Sequence, residues 1–211
     1  MSTSAHSPDP THSPHPTDAA AQSYHHGDLK NTLLTLATEA LDQGQPLSLR
    51  KLATKAGVSP TATYRHFKDK KALESALAAR GYEQLTHQLA AAGNNVHHPV
   101  ELIALTRAYV TFARTHAATF SLMFTTDCDP DSPERVQAVQ ALATTCRGIV
   151  AATLDHPSDE EVNAAATSLL AFTHGLATLI LEKKLPGESD EEVHASIQQA
   201  WAGMGILASS S

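Results

Sequence analysis

The twenty residues from Ser48 to Phe67 constrain this 211-residue chain more than any others. They read SLRKLATKAGVSPTATYRHF. Ser48 can accept a hydrogen bond from an amide three residues on, so it starts a helix whose inner face is Leu49, Leu52 and Ala53. Gly57 breaks that helix. Ser59 caps the next one, and Pro60 takes the first helical position, where its missing N–H costs nothing. This third helix is predicted to run to Phe67. Helices so short cannot bury themselves, so Leu49, Leu52, Ala53, Val58 and Phe67 need a neighbour. The preceding stretch supplies one, because Leu29, Leu33, Leu36, Ala40 and Leu41 recur at spacings of three and four. That predicts a first helix over about residues 27–43, stopped by Gly44 and Pro46. Two short helices joined by a glycine turn and backed by a longer one are the helix-turn-helix pattern.

Helical signals continue to the end, and strand alternation is nearly absent. Asp69 caps a fourth helix reaching about Ala92. His98-Pro99 opens a fifth that reaches about His116. A short apolar piece, Ala118 to Phe124, follows, and an acidic loop, Asp127 to Asp131, leads to Ser132-Pro133 and the next helix. Ser158-Asp-Glu-Glu161 and Ser189-Asp-Glu-Glu192 read as capping boxes, each starting a long helix. Lys183-Lys184-Leu-Pro186-Gly187 closes the first of these. The expectation is an all-α fold of nine helices in two parts. Residues 23–70 form a three-helix DNA-binding domain, and residues 71–211 form a helical domain for ligand binding and dimerisation. Residues 1–22 are dominated by Ser, Pro, Thr and His without a bulky aliphatic side chain, so a disordered tail is expected there.

Charge is divided unevenly along the chain. The total is -7. Residues 24–85, however, hold nine Lys/Arg against six Asp/Glu, whereas residues 86–211 hold six against fourteen. A basic N-terminal segment on an acidic body implies that one end meets a polyanion. Cys128 and Cys146 form no CxxC pair, which excludes a disulfide framework and points to a reducing cytoplasm. No run of eighteen uninterrupted apolar residues occurs, so no membrane span is expected.

The start of the third helix is built from small side chains: Ser59, Pro60, Thr61, Ala62 and Thr63. Small residues let a helix N-terminus approach the floor of a major groove, where base edges are read. Arg50, Lys55, Arg65, Lys68 and Lys70 surround that tip with positive charge suited to the phosphate backbone. Double-stranded DNA is the expected partner, and Arg50 and Arg65 join the candidate DNA-binding residues.

These residues resemble a known family. YHHGDLKNTLL followed by LSLRKLATKAGVSPTATYRHFKDKKAL, about residues 24–85, looks like the DNA-binding domain of the TetR family of bacterial transcriptional regulators. The glycine turn, Tyr64-Arg65-His66-Phe67 and the lysine at Lys70 carry the match. The resemblance implies that Thr61 and Ala62 face bases beside Pro60, and that Tyr64, Lys70 and His66 hold phosphates. Thr63 stands where the family often has leucine. Tyr24 to Asp28 resembles a subgroup whose C-terminal domain carries Trp-x-x-x-His-Gly; here His174-Gly175 is kept and Leu170 replaces the tryptophan.

The C-terminal part reads as a sensing and pairing module. Leu169, Thr173, Leu176 and Ile180 on one helix, with Ile197, Trp201 and Met204 on the last, form apolar stripes too wide for one chain to cover. They are the expected homodimer interface, in a four-helix bundle. Tyr109, Phe112, His116, Phe120, Met123, Phe124, Phe172 and His174 are the candidate pocket for a small, mostly apolar effector. No P-loop, GxGxxG, GxSxG or HExxH occurs, so neither an enzyme nor a cofactor is expected. Thirteen histidines keep a metal-responsive regulator as the alternative, with His97, His98, His116, His156, His174, Cys128 and Cys146 as the ligand pool.

Overall fold

The structure, a computed structural model, describes residues 29–125 and 132–205. Nine α-helices account for most of the described residues, and no strand occurs among them. The helices are α1 (Leu29–Asp42), α2 (Leu49–Lys55), α3 (Pro60–Tyr64), α4 (Lys70–Gly93), α5 (Ile103–Thr115), α6 (Ala117–Thr125), α7 (Pro133–Ala151), α8 (Asp159–Leu181) and α9 (Asp190–Gly203).

The caps read from the sequence are present as hydrogen bonds. Ser48, Ser59, Asp69, Ser132, Ser158 and Ser189 each accept from the backbone amide three residues on. Two details differ from expectation. His98-Pro99 opens a 3-10 turn, Pro99–Leu102, before α5, and the Glu101 carboxylate accepts from the backbone amides of His97 and His98. Those two bonds hold the Glu101 carboxyl below its ordinary pKa. The Ser158 box is reciprocal, but Glu192 reaches back to the amide of Glu188 rather than to that of Ser189.

The apolar side chains gather into two clusters. The first is a head formed by α1, α2, the end of the α3 segment and the start of α4, with Leu33, Leu52, Phe67, Leu73 and Leu77 at its centre. Leu122, from α6, also belongs to this cluster. The second cluster lies among α4 to α9 and is centred on Leu85, Tyr109, Val110, Phe112, Ile197 and Trp201. Helix α4 runs through both and packs on α5, α6 and α7. Its contact with α6 is close: a Cβ at Gly81 would stand 2.6 Å from Met123 Sδ and 2.8 Å from Thr119 Cγ2. Only a residue without a side chain lets the two helices meet there.

Candidate nucleic-acid interface

The head turns its third helix outward. Gly57 takes a φ of +68°, in the left-handed region, and this reversal carries the chain from α2 into Ser59. The Ala62 amide donates to Ser59 Oγ at 3.3 Å, with Pro60 at the first helical position. Helix α3 is shorter than the sequence predicts and ends at Tyr64 rather than Phe67. The reason lies in the backbone: the amides of His66 and Phe67 both donate to Thr63 O at 3.0 Å, a tight turn that swings Phe67 into the core. Ser59, Pro60, Thr61, Tyr64, Arg65 and His66 are left exposed, and Ala62 is half-buried. Arg50 and Lys70 are also exposed; Lys70 Nζ lies 3.2 Å from Glu74 Oε1, one turn along α4. Thr63, in the position where leucine is frequent, is fully buried, and its Oγ1 has no hydrogen-bond partner among the described residues.

The candidate DNA-binding residues are therefore exposed or half-buried on the head, with Ser59 to His66 on the tip itself, Arg50 at the start of α2 and Lys70 at the start of α4. The tip also borders the body. Tyr64, Arg65 and His66 line an open cleft of about 380 Å³ whose far wall is Ser132, Pro133 and Glu134 at the start of α7. Lys30 of α1 forms an ion pair with Glu134 across it. Sequence reasoning missed this pair, since nothing in the primary structure places residues so distant side by side. Tyr24 to Asp28 lie outside the described residues.

In the body, the expected pocket residues fall in several different surroundings. Phe112, Phe120 and Met123 are filled core, at most 4% exposed. Aromatic and Met side chains at helical spacing supply the largest apolar area, so the chain spends them on its own packing. His116 ends α5 against the Phe112 ring. His174 Nδ1 lies 3.0 Å from the Tyr109 hydroxyl, and its ring meets Phe120 and Phe124. Burial lowers the His174 pKa and raises that of Tyr109, so a neutral imidazole and a protonated phenol share this hydrogen bond. Phe172 packs on Trp201 and lines a separate cleft of about 240 Å³ with Leu102 and Met204. A further cleft lies between α4, α6, α7 and α8. There Tyr82, Phe124, Leu142, Cys146 and Leu170 border a cleft of about 230 Å³. Of the expected residues, Phe124 lines this cleft and Tyr109 lines a smaller cavity behind it.

The residues of the expected pairing stripes are mostly covered by their own chain. Thr173, Leu176, Ile180, Ile197 and Trp201 are buried within the single chain, and Leu169 packs against that core. Thr106 Oγ1 accepts from Trp201 Nε1 at 3.2 Å and lies 3.0 Å from Thr173 Oγ1, which ties α5, α8 and α9 together. What α8 leaves outside includes Leu170 and Leu179, which lie on opposite sides of the helix; Met204 is exposed on the end of α9. An 18-residue window of α8 has a mean hydropathy of 1.6, long and apolar enough to cross a membrane by length and composition, a test that core helices also pass. Its polar interruptions Thr173 and His174 are bonded to Thr106 and Tyr109 of α5, as in a core helix. Among the described residues no three His, Cys, Asp or Glu side chains gather as a metal site. Cys128 and the N-terminal histidines lie outside them.

Two family models cover the two parts of this architecture. Residues 43–77 match the bacterial regulatory proteins of the tetR family, and residues 102–203 match the tetracyclin repressor-like C-terminal domain. The chain belongs to the TetR family of transcriptional regulators. Among its relatives, the HTH-type transcriptional activator FasR of Mycolicibacterium smegmatis is 25% identical over 181 residues, covering 83% of this chain and 82% of FasR. A solved protein of unknown function from Rhodococcus sp. RHA1 is 35% identical, with a TM-score of 0.70 over 86% of this chain and 98% of that one. NalD of Pseudomonas aeruginosa, the secondary repressor of the MexAB-OprM multidrug efflux pump, shares the fold at 20% identity and a TM-score of 0.55. It is matched over 84% of this chain and 96% of NalD. As a TetR-family regulator, the chain has DNA as its partner, and the head is the part that meets it.

Proposed function

We propose that this TetR-family protein binds a near-palindromic operator as a homodimer and acts as a repressor released by a small, mostly apolar effector. The observation that carries the reading is the α3 tip. It is small-sided and exposed, followed at once by the exposed Arg65, and braced by a core in which Phe67 is 2% exposed; Arg50 and Lys70 are exposed on the same head. Thr61 and Ala62 read base edges, and Tyr64, His66 and Lys70 hold phosphates. Pairing is supported by α8: only 28% of its apolar window is buried in one chain, and Leu179 stands exposed on the side away from the cleft that Leu170 lines. An apolar helix left this open calls for a second copy to cover it. A two-fold axis then sets the paired recognition helices ~34–36 Å apart, to meet successive major grooves.

Effector release follows from differential affinity. A ligand that fits the body better when the heads are misaligned with the grooves shifts the population to that state, by no more than its preference between the two. Helices α4 and α6 carry the change, since both enter both cores.

The test is a gel shift with the DNA flanking the protein's own gene, over a series of salt concentrations. Affinity should fall steeply with salt, and Tyr64→Ala and Lys70→Ala should each weaken binding. Full binding by both variants would contradict the contact assignment. Transcription from the same promoter with the protein present and absent separates a repressor from an activator.

A further inference from the structure

The cleft between α4, α6, α7 and α8 has an asymmetry that names its ligand. Its outer part, about 230 Å³, is walled by Tyr82, Phe124, Val139, Ala143 and Leu170. Behind it lies a narrow cavity of about 30 Å³ that ends at Tyr109, Leu105 and Thr173. Leu142, Cys146, Ala166 and Leu170 border both, so the two are consecutive compartments of one path into the body. The inner compartment is almost wholly apolar, and the Tyr109 hydroxyl beside it is already engaged by His174. An inner cavity holding about one water volume admits the end of a methylene chain but not a ring.

The outer compartment has one fully charged side chain on its wall, Arg147 of α7, and no carboxylate. Arg147 is exposed and forms no ion pair with any other described residue. Asn163 and Thr167 stand on the same rim. A path that is apolar within and cationic at its entrance fits a molecule with the opposite polarity.

We infer that the effector is an amphiphile with an unbranched aliphatic chain and an anionic head, seated with its chain end toward Tyr109 and its head on Arg147. This rests on the ligand-released regulator reading and specifies its ligand class. Cys146, on the shared wall, is covered by the bound chain.

Calorimetry on the full-length protein tests it, with decanoate, 1-decanol and decyltrimethylammonium below their micelle concentrations. Decanoate should bind about five-fold tighter than decanol, as a partly solvated ion pair provides, and the cation should bind weakest. Arg147→Gln should equalise decanoate and decanol without changing decanol. From hexanoate to decanoate, affinity should rise roughly three- to four-fold per methylene. Ala166→Phe, which narrows the junction, should flatten that rise. A second readout needs no core substitution: in Cys128→Ser protein, decanoate should slow alkylation of Cys146. Equal affinity for decanoate and decanol, a preference that survives in Arg147→Gln, or an unshielded Cys146 would each overturn the inference. Protein that binds its flanking DNA and ignores all three amphiphiles keeps the regulator reading and loses this ligand class. Protein that binds no DNA refutes the regulator reading whatever the calorimetry shows.

Discussion

The head and the body of this protein use apolar residues in opposite ways. The head buries nearly all of them: Leu33, Leu73 and Ala53 are fully covered, and among its described large apolar side chains Tyr64, on the tip, is the one that stands out into solvent. The body has more to bury and leaves part of it undone. Phe124, Val136, Val139, Leu170, Leu179 and Met204 are all at least 40% exposed, and clefts remain between its helices. A surface that must present fixed side chains to a fixed groove needs a rigid backing. A domain that must accept a ligand and a second copy needs faces still unspent. The contrast is one between a shape already settled and one awaiting its partners.

The largest effects should come from the two cores. Phe67→Ala and Trp201→Ala each empty a site under 3% exposed and should cost about 3–5 kcal/mol. Because the rings belong to different clusters, the double variant should cost the sum of the two within about 0.5 kcal/mol, as measured by urea unfolding. A coupling well above that would erase the boundary between head and body. On the tip, Tyr64→Ala should leave stability within about 0.5 kcal/mol and act instead on DNA affinity. Losing Lys70 should lower the salt slope of binding by about one.

Two glycines sharpen the comparison. A Cβ meets nothing within 4 Å at either Gly57 or Gly148. Yet Gly57→Ala should destabilise by about 1 kcal/mol, because its φ is +68°, whereas Gly148→Ala in the last turn of α7 should stabilise by roughly 0.5 kcal/mol. Thermal melts in parallel decide the two signs. Thr63→Val should add about 1 kcal/mol, since it replaces a buried hydroxyl without a hydrogen-bond partner among the described residues by a methyl of the same shape. A drop in Tm there would mean the hydroxyl has a bound water.

The smallest effect is a dependence on pH. Burial holds the His174 pKa below its ordinary value, so the unfolded chain binds the proton more readily than the folded one. The pairing contributes fully above the ordinary histidine pKa of about 6.5, and its contribution falls as pH drops below that value. Melts at pH 7.5 and 5.5 should differ less in His174→Gln than in the parent.

How much of this was legible in the sequence depended on whether a residue type carries its own instruction. Caps do: Ser59 followed by Pro60 specifies a helix start on local grounds, and Asp69 does the same for α4. The outward tip was legible because five small residues in a row suit a close approach and little else. The end of α3 was not, because it depends on Phe67 finding its core. The cleft lining was hard to read for a related reason. Phe112 and Met123 are buried in the core, whereas the lining residues Ala143, Ala166 and Val139 look unremarkable in the sequence. A cavity is defined by where side chains stop short, and that is a property of several helices at once. The stripe of Ile197 and Trp201 was assigned to a partner because the sequence shows how much surface is apolar but not which helix covers it.

Leu122 leaves a final consequence. It sits on the body's sixth helix yet is only 6% exposed, and it belongs to the apolar cluster of the DNA-binding part. The head is therefore not a cassette. Cut out after α4, or grafted onto a foreign C-terminal domain, it would carry an unplugged hole where a neighbouring segment used to reach in, and any chimera would have to bring that leucine with it.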